Sequence, residues 1–168
     1  MVTIRLLDIG PEFGASAGLL SQLHRSHFLG PKVAVDVLDI YDSRRNFIEM
    51  TYPLVNFTHA SIESLPGDAM WDVVYCSNAI EHMDDPGSFV QSVMDHTSGH
   101  AMFLAPYNEE LPLSEDHRSR ITEQTFEGFA VETVKVFNTA AWPMTADGVK
   151  RQQILVVIKA QAQRGTAS

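Results

Sequence analysis

The chain is poor in cysteine, in positive charge and in long apolar runs, and each shortage excludes something. Cys76 is the one cysteine. It cannot form a disulfide within the chain, no cysteine pair offers itself to a metal, and a reducing, cytoplasmic setting is expected. Lys and Arg number 12 against 21 Asp and Glu, a formal charge of −9. Capture of nucleic acid or of an anionic bilayer needs a basic surface, so neither partner is expected. No apolar run approaches the ~20 residues that span a bilayer, and no signal-peptide pattern opens the chain, so no membrane insertion is expected. Repeats, linkers and low-complexity blocks are also missing.

What remains is an ordinary globular composition. Hydrophobic residues make up 45% and charged residues 20%, which argues against disorder, collagen and coiled coil. The 168 residues suit a single domain. A chain of this size buries about 68–70% of its unfolded surface without staples. The domain is expected to cover 1–160, with a polar, disordered tail over 161–168.

Strand-like and helix-like segments alternate. Val2–Ile9 (VTIRLLDI) is apolar and bounded by Gly10 and Pro11, a buried strand by length and punctuation. Leu19, Leu20 and Leu23 begin a helical spacing that runs towards Phe28 and stops near Gly30-Pro31. Lys32–Leu38 and Trp71–Ser77 are further strands, the latter rich in β-branched and aromatic residues. Val55–Thr58 is a short third strand between them, after a short helical stretch at Ser43–Met50. Pro86–Thr97 is a helix whose Asp84-Asp85-Pro86 start suits its N-terminus. Ala101–Ala105 is a fifth strand. Thr122 caps a helix over Glu123–Glu127; Thr125 stands where a capping box would place Glu or Gln, so no capping box is expected. Val131–Phe137 and Gln153–Ala160 read as the last two strands, joined by a loop. The pattern predicts an α/β fold: a seven-stranded, mostly parallel Rossmann-like sheet with helices on both faces and an antiparallel C-terminal hairpin. Ligands of such sheets sit at the carboxyl ends of the strands, where strand order reverses.

The first turn runs Asp8-Ile9-Gly10-Pro11-Glu12-Phe13-Gly14. Its glycines let backbone approach a ligand closely. Glu12 would repel a diphosphate, and the full G-x-G-x-x-G pattern is missing, so a dinucleotide oxidoreductase is disfavoured. Asp36 follows Gly14 by 22 positions, near the ~20-residue offset of ribose-binding carboxylates; Asp39 competes for that role. No His, Asp, Glu or Cys cluster with metal-ligand spacing is evident, so no metal is expected.

Five segments in order, LDIGPEFG, VAVDVLD, ESLP, WDVVYCSNAIEHMDDP and AMFLAPY, resemble the class I S-adenosylmethionine-dependent methyltransferases of the small-molecule or glycan-modifying type. The resemblance implies S-adenosylmethionine as cofactor. It places Asp8, Gly10 and Gly14 on the methionine portion, Asp36 on the ribose, and Ser61 and Ile62 at adenine. Ser77 and Asn78 would lie near the transferring methyl, with Glu81 and Tyr107 on the substrate side. Ser61 stands where the family often has aspartate. His82 and His117 are the candidate general bases, since an unperturbed pKa near ~6.5 suits proton abstraction at neutrality. The implied activity is methyl transfer to an oxygen or nitrogen of a polar small molecule or glycan. The alternative is a non-catalytic binding or accessory module on the same fold. Because the first strand begins at Val2, the lid helices usual before it are expected to be missing, leaving an open site that a homodimer or a partner chain would complete.

Overall fold

The computed structural model describes residues 2–12, 14–22, 32–110, 116–138 and 152–161. Seven strands form one sheet: β1 (Thr3–Ile9), β2 (Lys32–Asp39), β3 (Val55–His59), β4 (Trp71–Ser77), β5 (Thr97–Pro106), β6 (Val131–Asn138) and β7 (Gln152–Lys159). The order is β3-β2-β1-β4-β5-β7-β6. The first five strands run parallel, and β7 enters antiparallel between β5 and β6. The direction of strand addition reverses between β1 and β4, and this puts the ligand crevice at their carboxyl ends.

Among the described residues three α-helices accompany the sheet: α1 (Ala15–Gln22), α2 (Arg45–Thr51) and α3 (Pro86–Asp95). Alternating burial sorts their contacts. Leu6, Val35, Val37, Ile48, Val55 and Phe57 form one apolar cluster with Ala17 of α1. Leu7, Ile9, Val74, Cys76, Ala101 and Phe103 form a larger one under Phe89, Val90 and Val93 of α3. Period-2 alternation along the strands therefore supplies both helix-covered faces. The Cys76 thiol is fully buried, and desolvation pushes its pKa well up, so it packs as a small neutral hydrophobe.

Several boundaries differ from the sequence reading. The helix expected to reach Thr97 stops at Asp95, because the His96 carbonyl accepts the Trp71 N–H at 3.0 Å and so already serves the sheet. Thr97 instead opens β5, its hydroxyl donating back to the Val93 carbonyl at 2.7 Å. Glu123–Phe126 is a 3-10 turn rather than an α-helix. Its capping box is closed by Thr125, whose Oγ1 accepts the Thr122 N–H at 3.2 Å in place of a carboxylate or amide. β2 runs to Asp39, one residue past the expected Leu38. The expected helix beyond Gln22, Phe13, the loop at 139–150 and the tail at 162–168 lie outside the described residues.

Candidate active site at the carboxyl ends of the strands

The β1 turn is shaped by backbone. Gly10 has φ +64° and donates its N–H to the Leu38 carbonyl at 2.9 Å, which ties the turn to β2. A Cβ on Gly10 would stand 3.1 Å from that of Ala79, so the turn lies directly against the loop after β4. Gly14 has φ +72° and closes the turn onto the Pro11 carbonyl at 2.8 Å. Asp8, beneath this turn, is fully buried. The Ser16 hydroxyl donates to its Oδ2 at 2.6 Å, whereas Oδ1 has no partner. Burial pushes the Asp8 pKa up to about 6, against the pull of the Ser16 hydrogen bond.

Asp36 does not end its strand. It pairs with Leu7 of β1 and Asn56 of β3 in the middle of the sheet. Its carboxylate accepts the Trp71 indole N–H at 2.6 Å, the Asn56 amide at 2.9 Å and Arg5 at 3.5 Å. Trp71 is the first residue of β4, so these contacts lie towards the opposite edge from the crevice. The expectation that Asp36 stands at the strand end is therefore corrected. Asp39 stands there, buried, with Oδ1 accepting the Tyr41 N–H at 2.8 Å and Oδ2 accepting Arg44 at 3.1 Å. Of the two aspartates that the sequence offers for this role, Asp39 is the one at the carboxyl end of β2.

Ala60 donates to the Asp39 carbonyl at 3.1 Å, which brings the end of β3 beside the end of β2. Ser61 then precedes a 3-10 turn over Ile62–Ser64, and Ile62 is buried against the larger core cluster. Beyond β4, Asn78 adopts φ +49°, a left-handed conformation that asparagine tolerates better than most residues. Three contacts hold it there. Its N–H donates to the Leu104 carbonyl at 2.7 Å, its amide nitrogen approaches Ser77 Oγ at 3.3 Å, and its Oδ1 accepts from Gln153 at 3.3 Å.

Glu81 and His82 follow in a 3-10 turn, Ile80–His82. The segment from Asp116 onwards is stapled across this turn. Arg118 and Ser119 donate their N–H groups to the Glu81 carbonyl at 2.8 and 3.1 Å, and the Ser119 hydroxyl donates to the Met83 carbonyl at 2.7 Å. His117 is thereby set over Glu81, with Nε2 4.0 Å from Oε1, and its ring meets His82 edge-on at 5.1 Å. His117 Nδ1 bonds Glu109, and His82 Nδ1 bonds the Asp116 carbonyl at 2.9 Å. Glu81 is 1% exposed, and neither carboxylate oxygen has a hydrogen-bond partner. Burial raises its pKa to about 7, with the two histidines opposing the shift. Tyr107, at the end of β5, donates its hydroxyl to the Glu123 carboxylate at 3.0 Å.

Apart from Asp36, the predicted residues fall into two groups at one edge of the sheet. Asp8, Gly10 and Gly14 share the β1 turn, Ser61 and Ile62 follow β3, and Ser77 and Asn78 close β4. Glu81, His82 and His117 form a cluster beside them, with Tyr107 at the end of β5. Glu109, the partner of His117, has a place that sequence spacing did not assign. Glu109 and His117 both follow β5, whose carboxyl end neighbours that of β4; that adjacency was the available signal. Among the described residues, ligand atoms of Glu81, His82 and His117 lie within 4.8 Å of one another, a grouping that sequence spacing did not reveal.

Residues 7–103, more than half of the chain, match the family described as Methyltransferase domain. The chain belongs to the class I S-adenosylmethionine-dependent methyltransferases. Solved structures agree on the fold. The N-methyltransferase NodS of Bradyrhizobium japonicum, determined with S-adenosyl-L-homocysteine, superposes with a TM-score of 0.70 at 12% identity, covering 95% of this chain and 79% of that one. Magnesium protoporphyrin IX methyltransferase of Synechocystis, also with bound S-adenosyl-homocysteine, gives 0.71 at 11% identity, with 95% and 75% covered. The CurJ carbon methyltransferase gives 0.65 at 14% identity; it covers 96% of this chain, which spans about half (49%) of the CurJ chain. A comparison with curated protein sequences finds no match.

The methyltransferase's crevice suits this cofactor. Asp8 Oδ1 is a buried acceptor without a donor, beside a turn in which Gly10 and Gly14 carry no side chain. A cationic amino-acid end answers the first and a close-packed ligand answers the second. A further acid, Asp39, stands at the end of the next strand over. No helix among the described residues is long and apolar enough to cross a membrane.

Proposed function

We propose that this methyltransferase acts on an oxygen or nitrogen of a polar acceptor, a small molecule or a glycan. The observation that carries the reading is the state of the two histidines. A backbone carbonyl only accepts, so His82 Nδ1 carries a proton, and in the neutral ring Nε2 is the nitrogen with the lone pair. His117 Nδ1 faces the Glu109 carboxylate in the same way. Two basic nitrogens are thus held beside the end of β4, where a proton leaving an acceptor can be taken up.

When bound, S-adenosylmethionine supplies a methyl group on a sulfonium, a leaving group good enough that the protein mainly positions and dehydrates. Asp8, Gly10 and Gly14 hold the amino-acid end, with Ser77 and Asn78 bordering the methyl. Asp39, in place of Asp36, accepts the ribose hydroxyls, while Ser61 and Ile62 flank adenine. Glu81 and Tyr107 face the acceptor. The left-handed Asn78, fixed by three contacts, is a preorganised wall, and His82 and His117 take the acceptor's proton.

Two measurements test this. Calorimetry with S-adenosyl-homocysteine on the full chain should show saturable binding; its absence would overturn the reading. Transfer of labelled methyl to hydroxyl- and amine-bearing acceptors should fall by about 10²–10⁴-fold in His117→Ala with cofactor affinity retained. Equal losses of affinity and transfer would remove His117 from the chemistry.

A further inference from the structure

We infer that Glu81, His82 and His117 form a binding site for one divalent transition-metal ion, of the kind that prefers nitrogen and oxygen ligands. Three independent observations converge. The first is geometric. The ligand atoms of the three side chains lie within 4.8 Å of one another. An ion about 2.0–2.2 Å from each ligand needs separations near 3.4 Å, so the cluster closes by roughly an ångström, within the reach of side-chain rotation.

The second is electrostatic. Glu81 is 1% exposed, and both oxygens lack any hydrogen-bond donor. A buried carboxylate in that condition is costly unless a counter-charge reaches it, and such charges are normally paired or bound to a metal. No lysine or arginine forms an ion pair with it among the described residues; His117 Nε2, at 4.0 Å, is its nearest basic atom. A cation seated between them answers both oxygens at once.

The third is the arrangement behind the ligands. Metal-binding histidines usually direct the second ring nitrogen at a carboxylate or a backbone carbonyl, which fixes the tautomer and aims the other lone pair. His117 does this with Glu109, and His82 with the Asp116 carbonyl. A surface histidine pair has no reason to carry both supports. The backbone staples from Arg118 and Ser119 to the Glu81 carbonyl hold the two strand-end segments in register, so the ligands approach from fixed directions.

Two imidazoles and one carboxylate leave coordination positions open. Binding of the ion stands independently of the proposed function. Its role rests on that reading: the open positions would ligate an acceptor through oxygen, narrowing the acceptor class to hydroxyl-bearing compounds. The lone pairs assigned above to proton uptake would then be given to the ion, which acidifies a bound hydroxyl itself.

Cobalt(II) is a suitable probe because its visible absorption reports nitrogen and oxygen ligation. Full-length protein freed of metal should take up one equivalent and develop ligand-field bands. Glu81→Gln, His82→Ala and His117→Ala should each weaken uptake by at least about tenfold, and Glu109→Gln, which weakens the support of His117, by about 10–100-fold. Glu81→Gln removes an uncompensated buried charge and so should fold; circular dichroism checks this. Absence of cobalt bands, or bands and affinity unchanged in Glu81→Gln and His117→Ala, would overturn the site. S-adenosyl-homocysteine calorimetry on the same samples separates the two ideas. Cofactor binding without cobalt uptake sinks the metal site alone, and cobalt uptake without cofactor binding sinks the function reading alone.

Discussion

Exchanging Asp36 and Asp39 in turn separates a sheet-building carboxylate from a ligand-binding one. Asp36 receives Trp71, Asn56 and Arg5. Replacing it by alanine leaves the Trp71 indole N–H, on a side chain 7% exposed, without its 2.6 Å acceptor. An orphaned buried donor costs about 1–3 kcal/mol. For a domain of this size that lowers Tm by roughly 2–4 °C for each kcal/mol. Cofactor affinity should change less than about twofold, because none of the three contacts lies at the crevice. Asp39→Asn behaves in the opposite sense. A carboxylate accepting two ribose hydroxyls forms charge-assisted hydrogen bonds of about 1.5–3 kcal/mol each, so losing one such contact weakens binding by roughly 10- to 150-fold. The amide also keeps an acceptor for Tyr41, which limits the structural damage. Calorimetry with S-adenosyl-homocysteine reads the affinity, and thermal denaturation reads the stability. If Asp36→Ala lost cofactor affinity while Asp39→Asn kept it, the assignment of the two aspartates would be reversed.

Other expectations follow from the same geometry. Asp8 and Glu81 have folded-state pKa values raised to about 6 and about 7, so between pH ~4 and ~7 the folded chain holds more protons than the unfolded one, and stability falls as pH rises through that window. Each group accounts for roughly 3 kcal/mol by the usual conversion; urea midpoints across pH should show the decline in the metal-free wild type and a flatter profile in Glu81→Gln, and an equally steep profile would discard the shift. Gly99→Ala forces a Cβ to 2.3 Å from the Asp72 carbonyl oxygen, a backbone atom that cannot swing away, so a loss of at least about 2 kcal/mol in chemical denaturation is expected. Gly10→Ala meets both φ +64° and the Ala79 methyl. A cost of about 1–2 kcal/mol together with weaker cofactor binding should appear, and a neutral result would mean that the turn relaxes freely.

The sheet was largely legible because its signals are local. Trp71–Ser77 alternates buried and partly exposed residues between clear boundaries, and its expected and observed limits coincide. The β1 turn was legible for a similar reason: Gly10 and Gly14 are small where φ must be positive. The acceptor side was much less so. His117 gains its place from staples to residues more than 30 positions earlier, and Glu81 looks like any acidic loop residue until tertiary contacts bury it. An offset from a glycine could not separate Asp36 from Asp39, because strand length decides which of the two lies at the carboxyl end. NodS, an N-methyltransferase, and CurJ, a carbon methyltransferase, show the same limit from another direction: different acceptor atoms on one fold.

The Asp36–Trp71 contact has an experimental use. The chain contains two tryptophans, Trp71 and Trp142. Trp71 is clamped between a carboxylate at its indole nitrogen and the Arg5 guanidinium 5.1 Å from its ring centroid. A Trp142→Phe variant would turn Trp71 into a single optical reporter. Its emission should shift when β1, β2 and β4 come apart and stay indifferent to anything entering the crevice at their far ends. Unfolding and ligand binding could then be followed in one sample without either signal contaminating the other.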